Sequence, residues 1–261
     1  MMGVNDESIL GFTVNNNPNE SIKEIVTFIK SPNSAFTTAA PKWLACLNPH
    51  SYALSIKDEI FTKSLAASDW LFPDGIGVVI ASRILGGEIH DRFTGNDVFI
   101  GVLSELDKLG GKVFFLGSTE STLSLIQMKM AEDFPNIQIT GTYSPPFKTE
   151  FSDQEISEMV EAVNAASPDV LWVGMTAPKQ EKWIFENREK LNVKFIAAIG
   201  AVFDFYSGKI KRSHPIFRKL GLEWLPRLLQ EPQRLCRLTY ISAPIFILHV
   251  LLGRKTLQFL H

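Results

Sequence analysis

Asp69-Trp70-Leu71-Phe72-Pro73-Asp74-Gly75-Ile76-Gly77-Val78-Val79 runs from a short apolar strand, through one acid and a Gly-x-Gly, into an apolar helix predicted over 76–85. In a parallel α/β sheet such a junction lies at the C-terminal edge of the strands, where ligands bind. A carboxylate placed there is partly desolvated and can take a proton from a bound hydroxyl, which makes Asp74 the candidate general base. Aspartate also serves as an ordinary helix N-cap, and the position fits that role too.

Outward from this junction, strand-like runs alternate with helical patterns. Strands are predicted at 43–47, 70–72, 113–116, 137–140, 170–173 and 195–199. Helices are predicted at 51–67, 76–85, 96–109, 121–133, 153–165 and 179–190, the fifth opened by the Ser152 cap with Glu155. Apolar, β-branched strands in this β-α alternation give an α/β fold with a mostly parallel sheet covered by helices on both faces. The loop 142–151, with Pro145-Pro146, is expected to be a mobile rim.

The alternation ends near Tyr206. Residues 1–207 are read as the α/β catalytic domain, and 208–261 as a helical appendage with short helices at 217–221, 223–230 and from Pro232. The formal net charge of -2 conceals an asymmetry between them. From Gly208 onward ten Lys and Arg face only Glu223 and Glu231, a net +8, which leaves -10 on residues 1–207. Two such unlike parts imply different partners. The tail's arginines are interleaved with aliphatic runs rather than aromatic platforms, which argues against nucleic acid.

With 45% hydrophobic and 21% charged residues the chain is expected to be globular. Cys46 and Cys236 form no ligand motif, and five scattered histidines add none. The N-terminus lacks the pattern of a secretory signal, so a cytosolic protein with reduced thiols is expected. The best apolar run, 241–252, is interrupted by Pro244 and His249 and falls short of the roughly 20 residues a spanning helix needs. It suits a helix on a membrane surface, or one docking on another subunit.

Three strands end in glycine loops, at Gly117-Ser118-Thr119, Gly174-Met175-Thr176 and Gly200-Ala201. Glycine there lets backbone N–H groups approach a ligand, and the following helix N-terminus favours an anion such as a diphosphate. Neither a P-loop nor a dinucleotide fingerprint is present, since Gly75-x-Gly77 lacks a third glycine. Lys179 and Gln180, after Pro178, are expected to face the strand edge and contact phosphate or sugar hydroxyls. Arg92 is a candidate anion clamp, and Thr94, Gly95 and Asn96 form the polar turn behind it. Asn48 adds a polar group at the same edge, whereas His50 alone reads as an ordinary loop histidine. No Asp-x-Asp ends a strand, so neither metal nor cofactor is expected. A leaving diphosphate would be met by Arg, Lys and helix dipoles.

These motifs, in order, resemble the WecG/TagA/CpsF glycosyltransferases, glycosyltransferase family 26, from about Trp43 to Tyr240. The resemblance rests on Leu47-Asn48-Pro49, Pro73-Asp74-Gly75-Ile76-Gly77, Arg92-Phe93-Thr94-Gly95, Phe115-Leu116-Gly117 and Ala177-Pro178-Lys179-Gln180-Glu181. It continues through Gly200-Ala201-x-Phe203-Asp204, Glu223-Trp224-Leu225-x-Arg227-Leu228 and Glu231-Pro232-x-Arg234-Leu235. It implies a Rossmann-like body with a C-terminal membrane-targeting appendage and no metal. The implied activity is inverting transfer of a sugar, N-acetylmannosamine, its uronic acid or a hexose, from a UDP-sugar to a polyprenyl-diphosphate-linked sugar. The implied setting is bacterial cell-surface polysaccharide synthesis at the inner face of the membrane.

By position, Asp74 matches the family's proposed base, Arg92 and Gln180 match polar pocket residues, and Arg227, Arg234 and Arg237 match arginines that close over the site. With Asp204 from its motif, these join the glycine-loop and turn residues as the candidate site. Two departures stand out. Cys46-Leu47-Asn48 replaces the usual Thr-Leu-Asn, and Arg237-Leu238-Thr239-Tyr240 lacks one basic residue of the usual run. Two rival readings are a non-catalytic nucleotide-sugar-binding protein and a dinucleotide-dependent oxidoreductase. The apolar appendage also fits a homo-oligomer.

Overall fold

An antiparallel hairpin, β1 (Asp6–Ile9) and β2 (Phe12–Asn15), and helix α1 (Pro18–Lys30) precede a six-stranded sheet. The computed structural model describes residues 6–31, 40–210, 214 and 238–258. The sheet strands are β3 (Lys42–Leu47), β4 (Trp70–Pro73), β5 (Lys112–Gly117), β6 (Gln138–Tyr143), β7 (Val170–Gly174) and β8 (Phe195–Ala198). Their order is β4-β3-β8-β7-β5-β6, and all five pairings are parallel. Every strand therefore delivers its C-terminal loop to one edge.

The central strands read as unbroken apolar runs because both of their faces are covered. Phe114, Leu116, Leu171, Val173, Ile196 and Ala198 enter one core; Val113, Phe115, Val170, Trp172, Phe195 and Ala197 alternate with them into the other. Helices α2 (Pro49–Ser55), α3 (Glu59–Ala66), α4 (Ile76–Leu85), α7 (Asp153–Ala166) and α8 (Lys179–Asn187) serve the first core. On the opposite face α1, α5 (Gly95–Asp107), α6 (Glu120–Asp133) and α9 (Val202–Tyr206) serve the second.

The expected alternation is present, with three adjustments. The helix predicted over 51–67 is two helices, because Asp58 accepts the Phe61 N–H at 3.0 Å and starts α3 anew. The helix predicted to run to 190 leaves α-geometry at Asn187 and finishes as the 3-10 turn Arg188–Lys190. The edge strand β6 extends three residues past its predicted end.

The hairpin and α1 have no counterpart in the sequence reading. Phe12 and Val14 are buried while Thr13 is exposed, the alternation of a half-buried strand. Asn15 Oδ1 accepts the Leu71 N–H at 2.9 Å, so the hairpin covers the open edge of β4.

At the other end of the chain a π-helical turn, Leu238–Ser242, leads into α10 (Ala243–Gln258). Pro244 lies directly after the π-helical turn, in the first turn of α-geometry, and does not interrupt the helix. Phe246 and Val250 are buried against α2 and α4. The Tyr52 ring meets Phe246 and His249 edge-on, and its hydroxyl lies 2.7 Å from His249 Nδ1. The run expected to lie on a membrane or another subunit thus has an inner face docked on its own body. No helix among the described residues is long and apolar enough to cross a membrane. The short helices expected at 217–221, 223–230 and from Pro232 lie outside the described residues, as do Arg227, Arg234 and Arg237.

Candidate functional site

The strand ends frame a cavity of about 1080 Å3. Pockets that hold whole small ligands occupy roughly 300–1,000 Å3, so there is room here for a nucleotide sugar. Asp74 enters it directly after β4, its N–H donating to the Leu47 carbonyl at 2.8 Å. The N-cap position of α4 is Gly75, at φ +90°, a conformation that strains any side-chain-bearing residue, so Asp74 stands one residue before the cap.

Asn48 holds the acid in place. Its Oδ1 accepts the N–H groups of His50 and Ser51 at 3.0 and 2.9 Å, capping α2, which fixes the amide so that Nδ2 donates to Asp74 Oδ2 at 3.3 Å. The Ser51 hydroxyl in turn accepts the Asn48 N–H at 2.8 Å, completing a capping box. His50 also lines the cavity, and its Nδ1 lies 2.9 Å from the Ser242 hydroxyl.

Across the cavity lie the glycine loops. A Cβ at Gly117 would come within 2.4 Å of the Gly174 carbonyl, so β5 and β7 can end side by side only without one. Ser118 donates its N–H to that carbonyl at 3.1 Å, and Ser118, Thr119, Gly174 and Gly200 line the cavity. Thr119 caps α6, and its hydroxyl, with those of Ser121 and Thr122, accepts hydrogen bonds of 2.9 to 3.1 Å from Lys209.

Gln180 does not present a free amide to substrate. It is 4% exposed; its Oε1 accepts the Met175 and Gly200 N–H groups at 3.2 and 3.0 Å, and Nε2 donates to Glu181 Oε1 at 2.8 Å. It braces the loops after β7 and β8. Lys179 donates to the Lys148 carbonyl at 2.7 Å and lies over the Phe151 ring, which pins the 144–151 loop at the rim. Burial pulls the Lys179 ammonium below the usual lysine range.

Thr94, Gly95, Asn96 and Asp204 line the cavity as expected. The Asp97 carboxylate takes the Thr94 N–H and hydroxyl at 2.8 and 2.7 Å, so Thr94 serves the start of α5. Arg92, Gly75 and Gly117 are not among the lining residues; Arg92 is half-buried in the turn held to β4 by the Phe93 N–H on the Pro73 carbonyl.

Sequence reasoning missed one buried acid. Glu181 lines the cavity, is 4% exposed, and its Oε2 is sealed from solvent without a hydrogen-bond partner among the described residues. Burial pushes its carboxyl up to about 7, against opposing hydrogen bonds from Gln180 and its own N–H. A glutamate in the first turn of a helix ordinarily serves as an exposed, dipole-compensating carboxylate. The signal lay in its neighbours, since Gln180 and Trp183 bury the same turn. Cys46 stands nearby. Its thiol is pushed well up by burial and then by the charges of Asp74, Glu181 and Asp97, so it stays protonated. Among the described residues no group of three or more His, Cys, Asp or Glu could hold a metal ion.

Residues 7–259 match the profile of the Glycosyl transferase WecG/TagA/CpsF family. Among characterised relatives, the N-acetylglucosaminyldiphosphoundecaprenol N-acetyl-beta-D-mannosaminyltransferase of Bacillus subtilis is 31% identical over 212 residues, covering 81% of this chain and 80% of the relative. The protein of that name from Bacillus spizizenii is 30% identical over 225 residues, covering 86% and 82%. The one from Staphylococcus aureus is 27% identical over 241 residues, covering 92% and 89%.

Proposed function

The chain belongs to the WecG/TagA/CpsF glycosyltransferase family, and from that premise we propose that it moves a sugar from a UDP-sugar to a polyprenyl-diphosphate-linked sugar in the assembly of a cell-surface polymer. The relatives named above are N-acetylmannosaminyltransferases acting on an N-acetylglucosaminyl-diphosphoundecaprenol. That makes UDP-N-acetylmannosamine the first donor to test. One observation carries the reading: Asp74 lines the cavity and is oriented by Asn48.

In this mechanism the Asp74 carboxylate removes the proton of the acceptor hydroxyl. The oxygen attacks the anomeric carbon from the side opposite UDP, the bond to the diphosphate breaks, and its electron pair leaves on UDP, which inverts the configuration. Departing charge meets the N-terminus of α6, which opens after Thr119 at the cavity wall. Arg227, Arg234 and Arg237, from the appendage, supply the counter-charge, while Arg92, in the turn beside β4, stands on the acceptor side with Asp74. Asn48, Gly75, Gln180 and Lys179 shape the site, and Asn96 and Asp204 contact the substrates.

The 207/208 boundary divides catalytic body from appendage in this reading. The exposed apolar residues of α10, with the tail's excess of basic residues, attach the protein peripherally to the membrane that carries the acceptor.

The test is transfer from UDP-N-acetylmannosamine, within a panel of UDP-sugars, to a short-chain polyprenyl-diphosphate sugar. Asp74→Asn is expected to lower kcat by about 10²- to 10⁴-fold, the usual contribution of a general base, while UDP binding persists. Near wild-type transfer by the folded variant removes the base. UDP-sugar binding without transfer by the wild type would favour the non-catalytic sensor.

A further inference from the structure

Glu181 is the buried titratable group that this mechanism leaves without a task. Strand order shows where it sits relative to the reaction. Asp74 follows β4 at one side of the cavity, while the Gly174 and Gly117 loops follow β7 and β5 on the other. The reacting carbon, with the incoming hydroxyl on one side and the diphosphate on the other, therefore lies over β3 and β8, the strands ending at Cys46-Leu47 and Ala198. Glu181 reaches this middle ground, where its charge acts on the Cys46 thiol, and its Oε1 fixes the Gln180 amide that braces Met175 and Gly200.

We propose that Glu181 is a positioning residue that must keep its proton for the site to hold an anionic donor. Neutral, it orients Gln180 and leaves the glycine loops set for the diphosphate. Ionised, it puts into the same wall a negative charge that has no cation partner among the described residues. The inference rests on the nucleotide-sugar reading of the cavity.

The surrounding charges support this. On its own helix the charged groups are Lys179, Lys182 and Glu186. Lys182 is paired with Asp58 of α3 at 2.9 Å, and Lys179 is held by the Lys148 carbonyl. Also on α3, Glu59 and Lys63 pair with each other at the surface. Arg188, Glu189 and Lys190 lie in the turn beyond α8, β8 carries no titratable residue, and Cys46 and Asp74 line the same cavity. Burial, rather than a neighbouring charge, is what opposes ionisation of Glu181. With a carboxyl raised to about 7, ionisation falls within the working range. The sign is that binding weakens as pH rises through that value.

The decisive measurement is the UDP dissociation constant of the full chain against pH, for wild type and Glu181→Gln, which is neutral throughout and still offers an accepting oxygen. Titration of UDP itself is common to both proteins and cancels in their ratio. The ratio of wild type to variant is expected near one at pH 6, rising to roughly tenfold by pH 8.5, as a like charge within a partly buried site requires. Glu181→Leu, neutral but unable to accept from Gln180, should weaken UDP binding by one constant factor at every pH. A ratio flat within about twofold overturns the inference and leaves the function standing. Wild type that binds no UDP at any pH overturns both.

Discussion

At the residue scale, a raised carboxyl is also a stability statement. In the unfolded chain Glu181 releases its proton near 4.5, and in the folded protein near 7. The folded state thus binds the proton more tightly. Its contribution is fully present below about pH 4.5, declines as pH rises, and is lost once pH passes about 7. Glu181→Gln removes this dependence. Its advantage in stability over wild type is expected to grow between pH 5 and pH 8, approaching the order of 3 kcal/mol. Paired urea titrations at the two pH values read this directly, and equal differences at both would show that the carboxyl ionises without penalty. A variant more stable than wild type at neutral pH, yet with its UDP affinity freed from pH, would mark the acid as kept for function. Asp74 differs in kind. Its candidacy was legible in the sequence because a single acid between strand and Gly-x-Gly has few structural uses, and the structure puts it at the cavity, one residue before the Gly75 cap.

At the element scale, the loops after β7 and β8 are tied to each other by one side chain. Gln180→Ala would orphan the Met175 and Gly200 N–H groups that its Oε1 accepts and the Glu181 oxygen that its Nε2 serves. Each buried orphan costs about 1–3 kcal/mol, less what water recovers, so a loss of about 2–4 kcal/mol is expected. Because the amide acts through the loops, the donor KM should rise while kcat for saturated enzyme changes little. A fall in kcat alone would instead return Gln180 to direct contact with the reacting atoms. The sequence had Gln180 facing substrate because spacing placed it at the right edge. Spacing does not say whether an amide is already occupied by backbone. Sheet strands were legible because two-sided burial writes itself as continuous apolar runs. The hairpin and α1 went unread although both had signals: Leu10-Gly11 between Ile9 and Phe12, both at positive φ as a tight two-residue turn requires, and Asn17-Pro18-x-Glu20, in which Asn17 caps α1. Short half-buried strands carry few residues of pattern, and these were weighed only as a possible export signal.

For the whole molecule, charge and apolar surface are divided between two ends of the chain, and α10 is where they meet. Its inner face is tied down by Phe246, Val250 and the Tyr52–His249 contact, while Ile247, Leu248, Leu251 and Leu252 are exposed. Deleting everything after 207 is therefore a poor test of membrane attachment. It would also uncover the apolar surface beneath Phe246 and Val250, at about 1.5–3 kcal/mol for each side chain withdrawn. It would remove Lys209 from the hydroxyls at the start of α6 as well. Leu248→Asp with Leu251→Asp leaves the inner face intact and makes only the outer one polar. Surface changes of this kind typically alter stability by less than about 0.5 kcal/mol each, so a melting curve close to wild type is expected. In co-sedimentation with vesicles containing anionic lipid, the wild type should bind, and binding should weaken as salt shortens the reach of the tail's positive charge. The double variant should bind at least about tenfold more weakly, since two large apolar side chains no longer enter the interface. Vesicle binding equal to wild type would mean that α10 is not the attaching surface. Binding indifferent to salt would mean that the basic excess beyond Gly208 serves the nucleotide rather than the lipid.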